Sequence, residues 1–183
     1  MRRRVLPPEN SERWRPKPIP FGSTVPRLVS VNTNAQKQFR KVPRAEGRLV
    51  ADFGLEGDRH AGRPLRQVSI LNAETVNELA ERGMPVEPGV LGENITVEGV
   101  PVMQLADGSR LRIGDAELEI TGERPSCREM LEVHRDALKA MRGRAGKMAR
   151  VVKGGTVRPG DPIEVIGNAA DVFAHGVSGQ RTI

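Results

Sequence analysis

The chain has 183 residues, one cysteine, 3% aromatic residues with no tyrosine, and a net charge of +6. That length suits one domain with some extra tail and a core that needs no covalent cross-links. One cysteine excludes an internal disulfide and fits a reducing, cytoplasmic setting; no apolar run reaches the roughly 18 residues of a membrane span, and so few aromatic rings disfavour a stacking surface for single-stranded nucleic acid.

Residues 1–24 carry Pro7, Pro8, Pro16, Pro18 and Pro20 and read as an irregular basic arm. The opening MRRRVLPPENSERW has no apolar stretch behind its arginines, so it is not expected to act as a signal peptide. Residues 1–50 hold 12 Lys/Arg against 3 Asp/Glu, residues 51–134 hold 8 against 16, and residues 135–158 hold 8 against 1. A basic arm of this kind either stays solvated or touches nucleic acid or an acidic surface.

RLVSVNT (27–33) alternates like a strand. GRLVADFGLEGDRHAG (47–62) starts as a strand and becomes a glycine-punctuated loop. RQVSIL (66–71) reads as a strand. NAETVNELAERG (72–83) is the clearest helix: Asn72 is a candidate N-cap, Val76, Leu79 and Ala80 share a face, and Gly83 ends it. GENITVEGV (92–100) is strand-like. SRLRIGDAELEITG (109–122) is a hairpin turning on Gly114-Asp115, with Leu111 and Ile113 facing Leu118 and Ile120. Residues 127–142 predict a helix, while 147–155 and 161–167 predict closing strands around the turn RPGD (158–161). Residues 168–183 read as a loose tail. Many short strands, tight turns and two helices imply a mainly β, β-rich α+β domain over 25–167: a closed or nearly closed β-barrel with a few side helices.

Three segments carry candidate chemistry. ERPSCREM (123–130) holds Cys127. Ser126 and Glu129 have the spacing of a capping box, which would put Cys127 on the first turn of a helix. The helix dipole, Arg124 and Arg128 would then favour the nucleophilic, metal-binding thiolate; the plain alternative is a small buried apolar residue. GLEGDRHAG (54–62) combines Gly57, Asp58 and His60 in a loop able to approach a ligand closely or simply to turn. GVLGENIT (89–96) offers Gly92 for a sharp turn and Asn94 as a polar contact. His60, His134 and His175 show no zinc-like spacing with each other or with Cys127.

Taken in order, GLEGDRHAG, RQVSIL, GENIT, LRIGDAELEITGERPSC and GGTVRPGD resemble the MOSC domain, the module at the C-terminus of molybdenum cofactor sulfurases that also occurs as small free-standing bacterial proteins. The resemblance covers roughly residues 25–167. It implies a β-rich barrel that binds molybdenum cofactor, in a molybdopterin form left open. In sulfurases the domain's cysteine is implicated in handing sulfur to the metal. In amidoxime-reducing relatives, and in bacterial proteins resisting hydroxylated purines, it ligates molybdenum.

Carried over, the resemblance makes Cys127 the metal ligand and, with His60, the catalytic candidate. Gly57, Asp58, His60, Arg66, Gly92, Asn94, Arg124 and Ser126 become cofactor-binding candidates, with Arg124 placed to meet a phosphate. No pyridoxal phosphate domain, additional N-terminal β domain or iron–sulfur segment is evident, and one cysteine cannot hold a cluster. Electrons or sulfur would therefore come from a donor protein, acting on a small-molecule substrate without membrane or nucleic acid. Three readings stay open: Cys127 as molybdenum ligand in reduction of N-hydroxylated compounds, Cys127 as a persulfide sulfur carrier, and a non-catalytic anion-binding module with an inert cysteine.

Overall fold

A computed structural model describes residues 25–36 and 38–167. The expected arm (1–24) and tail (168–183) lie outside the described residues. Eleven strands and two short α-helices form the described part, which is mainly β as its alternating runs require. In chain order these are β1 (Arg27–Thr33), β2 (Val42–Arg44), β3 (Gly47–Val50), β4 (Gly54–Leu55), β5 (Val68–Asn72), α1 (Ala73–Glu81), β6 (Ile95–Glu98), β7 (Arg110–Ile113), β8 (Ala116–Glu123), α2 (Ala137–Ala140), β9 (Lys147–Lys153), β10 (Gly155–Val157) and β11 (Ile163–Gly167). No helix among the described residues is long and apolar enough to cross a membrane.

Eight strands join in the order β11-β7-β8-β9-β5-β6-β1-β2, and β10-β3-β4 form a second, smaller sheet. The strand pairing does not itself close either sheet into a barrel. The chain just before β11 does reach back to β1: Leu28 N donates to Asp161 O at 2.9 Å, Gly160 N to Leu28 O at 2.8 Å, and Ile163 N to Pro26 O at 2.9 Å. These bonds draw two distant parts of the sheet together at one corner.

The hairpin forms as its sequence requires. Ile113 pairs with Ala116 across a two-residue turn, and Leu111 faces Leu118. Gly114 takes φ 55 while Asp115 keeps an ordinary negative φ, the pattern of a type II′ turn with glycine first. Leu111, Ile113, Leu118 and Ile120 are all essentially inaccessible and join a core cluster with Leu28, Val31, Ile70 and Ile95. Burying each such side chain contributes about 1.5–3 kcal/mol. In β8 the register shifts between Ile120 and Gly122. A shift of this kind bends a strand and re-aims the residues beyond it, which in this chain are Arg124, Pro125 and Cys127.

β5 and β6 are paired in parallel, with α1 in the chain between them. Val76 and Leu79 of α1 are buried in a second cluster with Leu91, Met130, Ala137 and Met141, against which Phe39 and Cys127 also pack. Asn72 occupies the N-cap position of α1 but makes no side-chain cap. Its amide donates instead to Val100 O at 2.5 Å, so a tertiary bond displaces the expected local one.

The helix expected over 127–142 is broken. Arg128–Glu132 form a 3₁₀ turn and only Ala137–Ala140 are α-helical. Met130, Val133, Ala137 and Met141 are buried at helical spacing, which explains the expectation. Between the two pieces, however, the His134 ring nitrogen accepts the Asp136 N–H at 3.2 Å. A side chain that takes a backbone donor offers the chain an alternative to continuing the helix.

Candidate functional site

One cleft of about 180 Å³ opens where β5, β9, the chain before β6 and the loops around Arg59 and Cys127 meet. Its lining includes six residues expected from the sequence: His60, Arg66, Gly92, Asn94, Arg124 and Cys127. Sequence reasoning missed Phe39, Arg59, Arg63, Ser69, Glu129 and Met148, which line it too, as does Pro125. Gly57, Asp58 and Ser126 are not among the lining residues. Gly57 is exposed at φ 76, and a side chain there would meet nothing within 4 Å. Its glycine serves the turn, with no close approach behind it. Asp58 is buried beneath the cleft wall.

The base of the cleft is held by polar side chains that are fully engaged. Asn94, 1% exposed, accepts from Ser69 N and Ser69 Oγ, both at 3.1 Å, and donates to Asn32 O at 3.2 Å. It therefore pins β5 and β1 to the chain entering β6. Gly92, at φ 81, lies where a Cβ would sit 2.9 Å from the Phe39 ring and 3.2 Å from Arg124 Nη2. Only glycine leaves that space open.

Arg124 spans the cleft floor. Its guanidinium donates to Leu91 O at 2.5 Å and Ala145 O at 3.2 Å, and its amide N donates to Gly146 O at 2.9 Å. Burial lowers its pKa, while Glu93 and Cys127 oppose that and Arg66 adds to it. Arg59, Arg63 and Arg66 face the same cleft, and Glu129 is the one carboxylate among the lining residues. Cations crowded into one concavity raise the local concentration of anions.

Glu93 lies behind this floor, wholly inaccessible. Its Oε1 accepts from Gly89 N at 2.6 Å and Thr96 Oγ1 at 3.0 Å, while Oε2 has no partner among the described residues. Burial pushes its pKa up, and the Gly89 amide and Arg124 only partly offset this. A carboxyl whose pKa is higher folded than unfolded loses stability as pH rises from the ordinary carboxylate range to the folded value. Glu93→Gln is therefore expected to flatten that decline: thermal melts at about pH 5 and about pH 8 should differ less in the variant than in the parent. An unchanged pH dependence would show that Glu93 is ionised in the folded protein.

Cys127 is half-buried and sits at the N-cap of the 3₁₀ turn with extended backbone, making no side-chain cap. The expected capping box does not form. The Glu129 carboxylate acts on the thiol instead. The expected bias toward thiolate is overturned with it. Burial pushes the thiol pKa up and the Glu129 carboxylate pushes it further, while Arg124 and the Glu129 amide N–H pull it down without prevailing. Arg128, the other flanking arginine, is exposed and is not among the cleft-lining residues. The resting sulfur is thus a thiol with a carboxylate proton acceptor beside it.

Among the described residues no three His, Cys, Asp or Glu side chains gather to hold a metal ion. A metal using Cys127 would have to bring its other ligands with it.

The MOSC domain family model matches residues 57–164, more than half of the chain. The chain belongs to the MOSC domain family. This MOSC domain also resembles solved structures at the level of the fold. The YuaD protein of Bacillus subtilis is 24% identical, with 75% of this chain and 94% of that one aligned at a TM-score of 0.66. YiiM of Geobacillus stearothermophilus is 22% identical over 78% and 75% of the two chains, TM-score 0.64. YiiM of Escherichia coli is 23% identical over 78% and 71%, TM-score 0.62. No functionally curated protein matches. Within the family match lie the arginine-bearing loop, Gly92, Asn94 and Cys127. Phe39 and Lys41 precede it, yet β1 and β2, the strands on either side of them, pair into the main sheet.

Proposed function

We propose that this MOSC protein binds molybdenum cofactor in the cleft, with Cys127 as the protein's ligand to the metal, and reduces N-hydroxylated small molecules with electrons from an electron-transfer protein. The observation that carries the reading is the placing of one thiol in a cleft shared by four arginines. The cofactor is a phosphate-bearing pterin that supplies most of its metal's ligands and two-electron redox chemistry when bound.

The residues present fit such a group. A soft thiolate suits molybdenum, guanidinium groups suit a phosphate, and Gly92 leaves a hollow that any side chain would fill. On ligation the Cys127 thiol must lose its proton, and the adjoining Glu129 carboxylate is placed to take it. Arg59, Arg63 and Arg66 would hold the anionic end, and Arg124 would stiffen the floor through its carbonyl contacts. A nearly closed barrel is part of the same reading, supported by the corner bonds between β1 and the chain before β11; a cytoplasmic setting is proposed with it, on the single cysteine.

Metal analysis of gently purified protein tests this, with the pterin identified by fluorescence after oxidation. Near-stoichiometric molybdenum with a pterin is expected. Intact mass before and after reductant runs beside it: a reductant-sensitive gain of one sulfur on a molybdenum-free chain would replace this reading with that of a sulfur carrier.

A further inference from the structure

Behind the cleft wall lies a buried row of charged groups that cofactor binding leaves unused. Lys41 Nζ is 2.5 Å from Asp58 Oδ2, with side chains 2% and 0% exposed. Asp58 Oδ2 also accepts Asn34 N–H at 3.1 Å. The other carboxylate oxygen, Oδ1, accepts the His60 amide N–H at 3.0 Å and lies 3.2 Å from His60 Nδ1. His60 is the outer member, 28% exposed, and lines the cleft. Lys41 is itself tied in place, since its amide N donates to Gly89 O at 2.9 Å in the turn that leads to Gly92.

Burial pushes the Asp58 pKa up, yet hydrogen bonds from His60 and the charge and hydrogen bond of Lys41 hold its carboxyl well below the usual range. Burial lowers the Lys41 pKa, with Arg124 and Arg59 acting the same way and Asp58 opposing. A buried carboxylate needs such partners, because an unpaired charge there costs several kcal/mol. The arrangement also decides where the His60 proton sits. Asp58 Oδ1 can only accept. Lys41 Nζ, an ammonium with three N–H groups, gives its short bond to Oδ2 and lies 3.4 Å from Nδ1, farther than the 3.2 Å between Nδ1 and Oδ1. The shorter contact, to an atom that only accepts, favours Nδ1 as the donor to Asp58, which leaves Nε2 as the open ring nitrogen.

We infer that Lys41 and Asp58 are positioning residues that hold His60 as its Nδ1–H tautomer and leave Nε2 free for proton transfer in the cleft. Asp58 thus acts through His60 and touches no ligand. The use of Nε2 rests on the proposed reduction. Cleaving the N–O bond of an N-hydroxy compound takes two electrons, from the electron-transfer protein, and two protons, and releases the amine and water. His60, after taking a proton from solvent at Nε2, gives it to the leaving hydroxyl oxygen; the second proton reaches nitrogen from solvent. The other charged groups lining the same cleft are Arg59, Arg63, Arg66, Arg124 and Glu129.

The tautomer is read directly from long-range proton–nitrogen correlations of the histidine rings in cofactor-free, nitrogen-15-labelled protein under mildly alkaline conditions. Free imidazole favours Nε2–H, so Nδ1–H at His60 is the expected and distinctive result. Asp58→Ala should return His60 to the Nε2–H form, and Lys41→Met should weaken the preference. Nε2–H in the parent protein overturns the inference, and so does an unchanged tautomer in folded Asp58→Ala. If Asp58→Ala fails to fold, the parent spectrum alone decides. No molybdenum enters this measurement, so its failure is separate from failure of the cofactor reading. In loaded protein, His60→Gln should lower kcat about 10²- to 10⁴-fold, the usual worth of a positioned acid or base, with KM little changed. An unaltered kcat would overturn the proton-transfer role.

Discussion

Cys127→Ala protein is expected to purify folded and without molybdenum. The side chain is half-buried and packs at the margin of the second core cluster. Removing it should cost on the order of 1 kcal/mol, the centre of the range for single substitutions. The fold is therefore expected to survive the loss of the proposed metal ligand. The activity loss should exceed the roughly 10- to 100-fold typical of removing only an outer partner of a metal site. Cys127→Ser keeps the shape but offers a harder oxygen, and should retain little more metal than alanine. Metal analysis and a thermal melt on the same samples check both halves. Full molybdenum content in folded Cys127→Ala would end the proposal of direct ligation.

Gly146→Ala is expected to cost the most stability of any change near the cleft. Gly146 has φ 98, and a Cβ there would lie on top of the Ile70 carbonyl oxygen. That oxygen belongs to the backbone of β5, so no side-chain rotation relieves the overlap. The left-handed backbone adds roughly 1–2 kcal/mol for a residue other than glycine, and forced repacking adds typically 1–3 kcal/mol. A loss of about 3 kcal/mol or more is the expected outcome in a denaturant titration. The damage should reach the cleft as well, since Gly146 O accepts the Arg124 amide. A Gly146→Ala protein as stable as its parent would mean that β5 and the start of β9 can move apart at little cost.

Legibility in the sequence tracks the range of the interactions involved. The hairpin about Gly114-Asp115 and the helix after Asn72 are local, and they form nearly where alternation and helical spacing put them. The failures involve partners distant in sequence or side chains competing locally for the backbone. Asn72 loses its cap to Val100, twenty-eight residues on. The helix after Cys127 is cut where His134 takes a backbone donor, although its apolar spacing stays helical.

The site divides in the same way. Cys127, His60, Gly92 and Asn94 stood out as a unique residue type or as motif positions. Lys41 did not, because a lysine in a basic stretch has no pattern to mark it; its burial arises only when β1, β2 and the loop at Asp58 come together. Arg59 was hidden inside a segment that reads as a glycine loop, and Arg63 follows directly after it. Cys127 shows the opposite error: a motif was present, but the cap does not form, and burial together with the Glu129 carboxylate outweighs Arg124 at the thiol.

The cleft draws its lining from both ends of the domain, from Phe39 before β2 to Met148 in β9. No contiguous stretch of chain carries enough of it to bind alone, so folding must precede loading. A molecule seated there would act as a clasp across the whole domain. At a hundred times its dissociation constant it would add about 2.7 kcal/mol to the free energy of unfolding, and the empty protein would be correspondingly easier to unfold and digest.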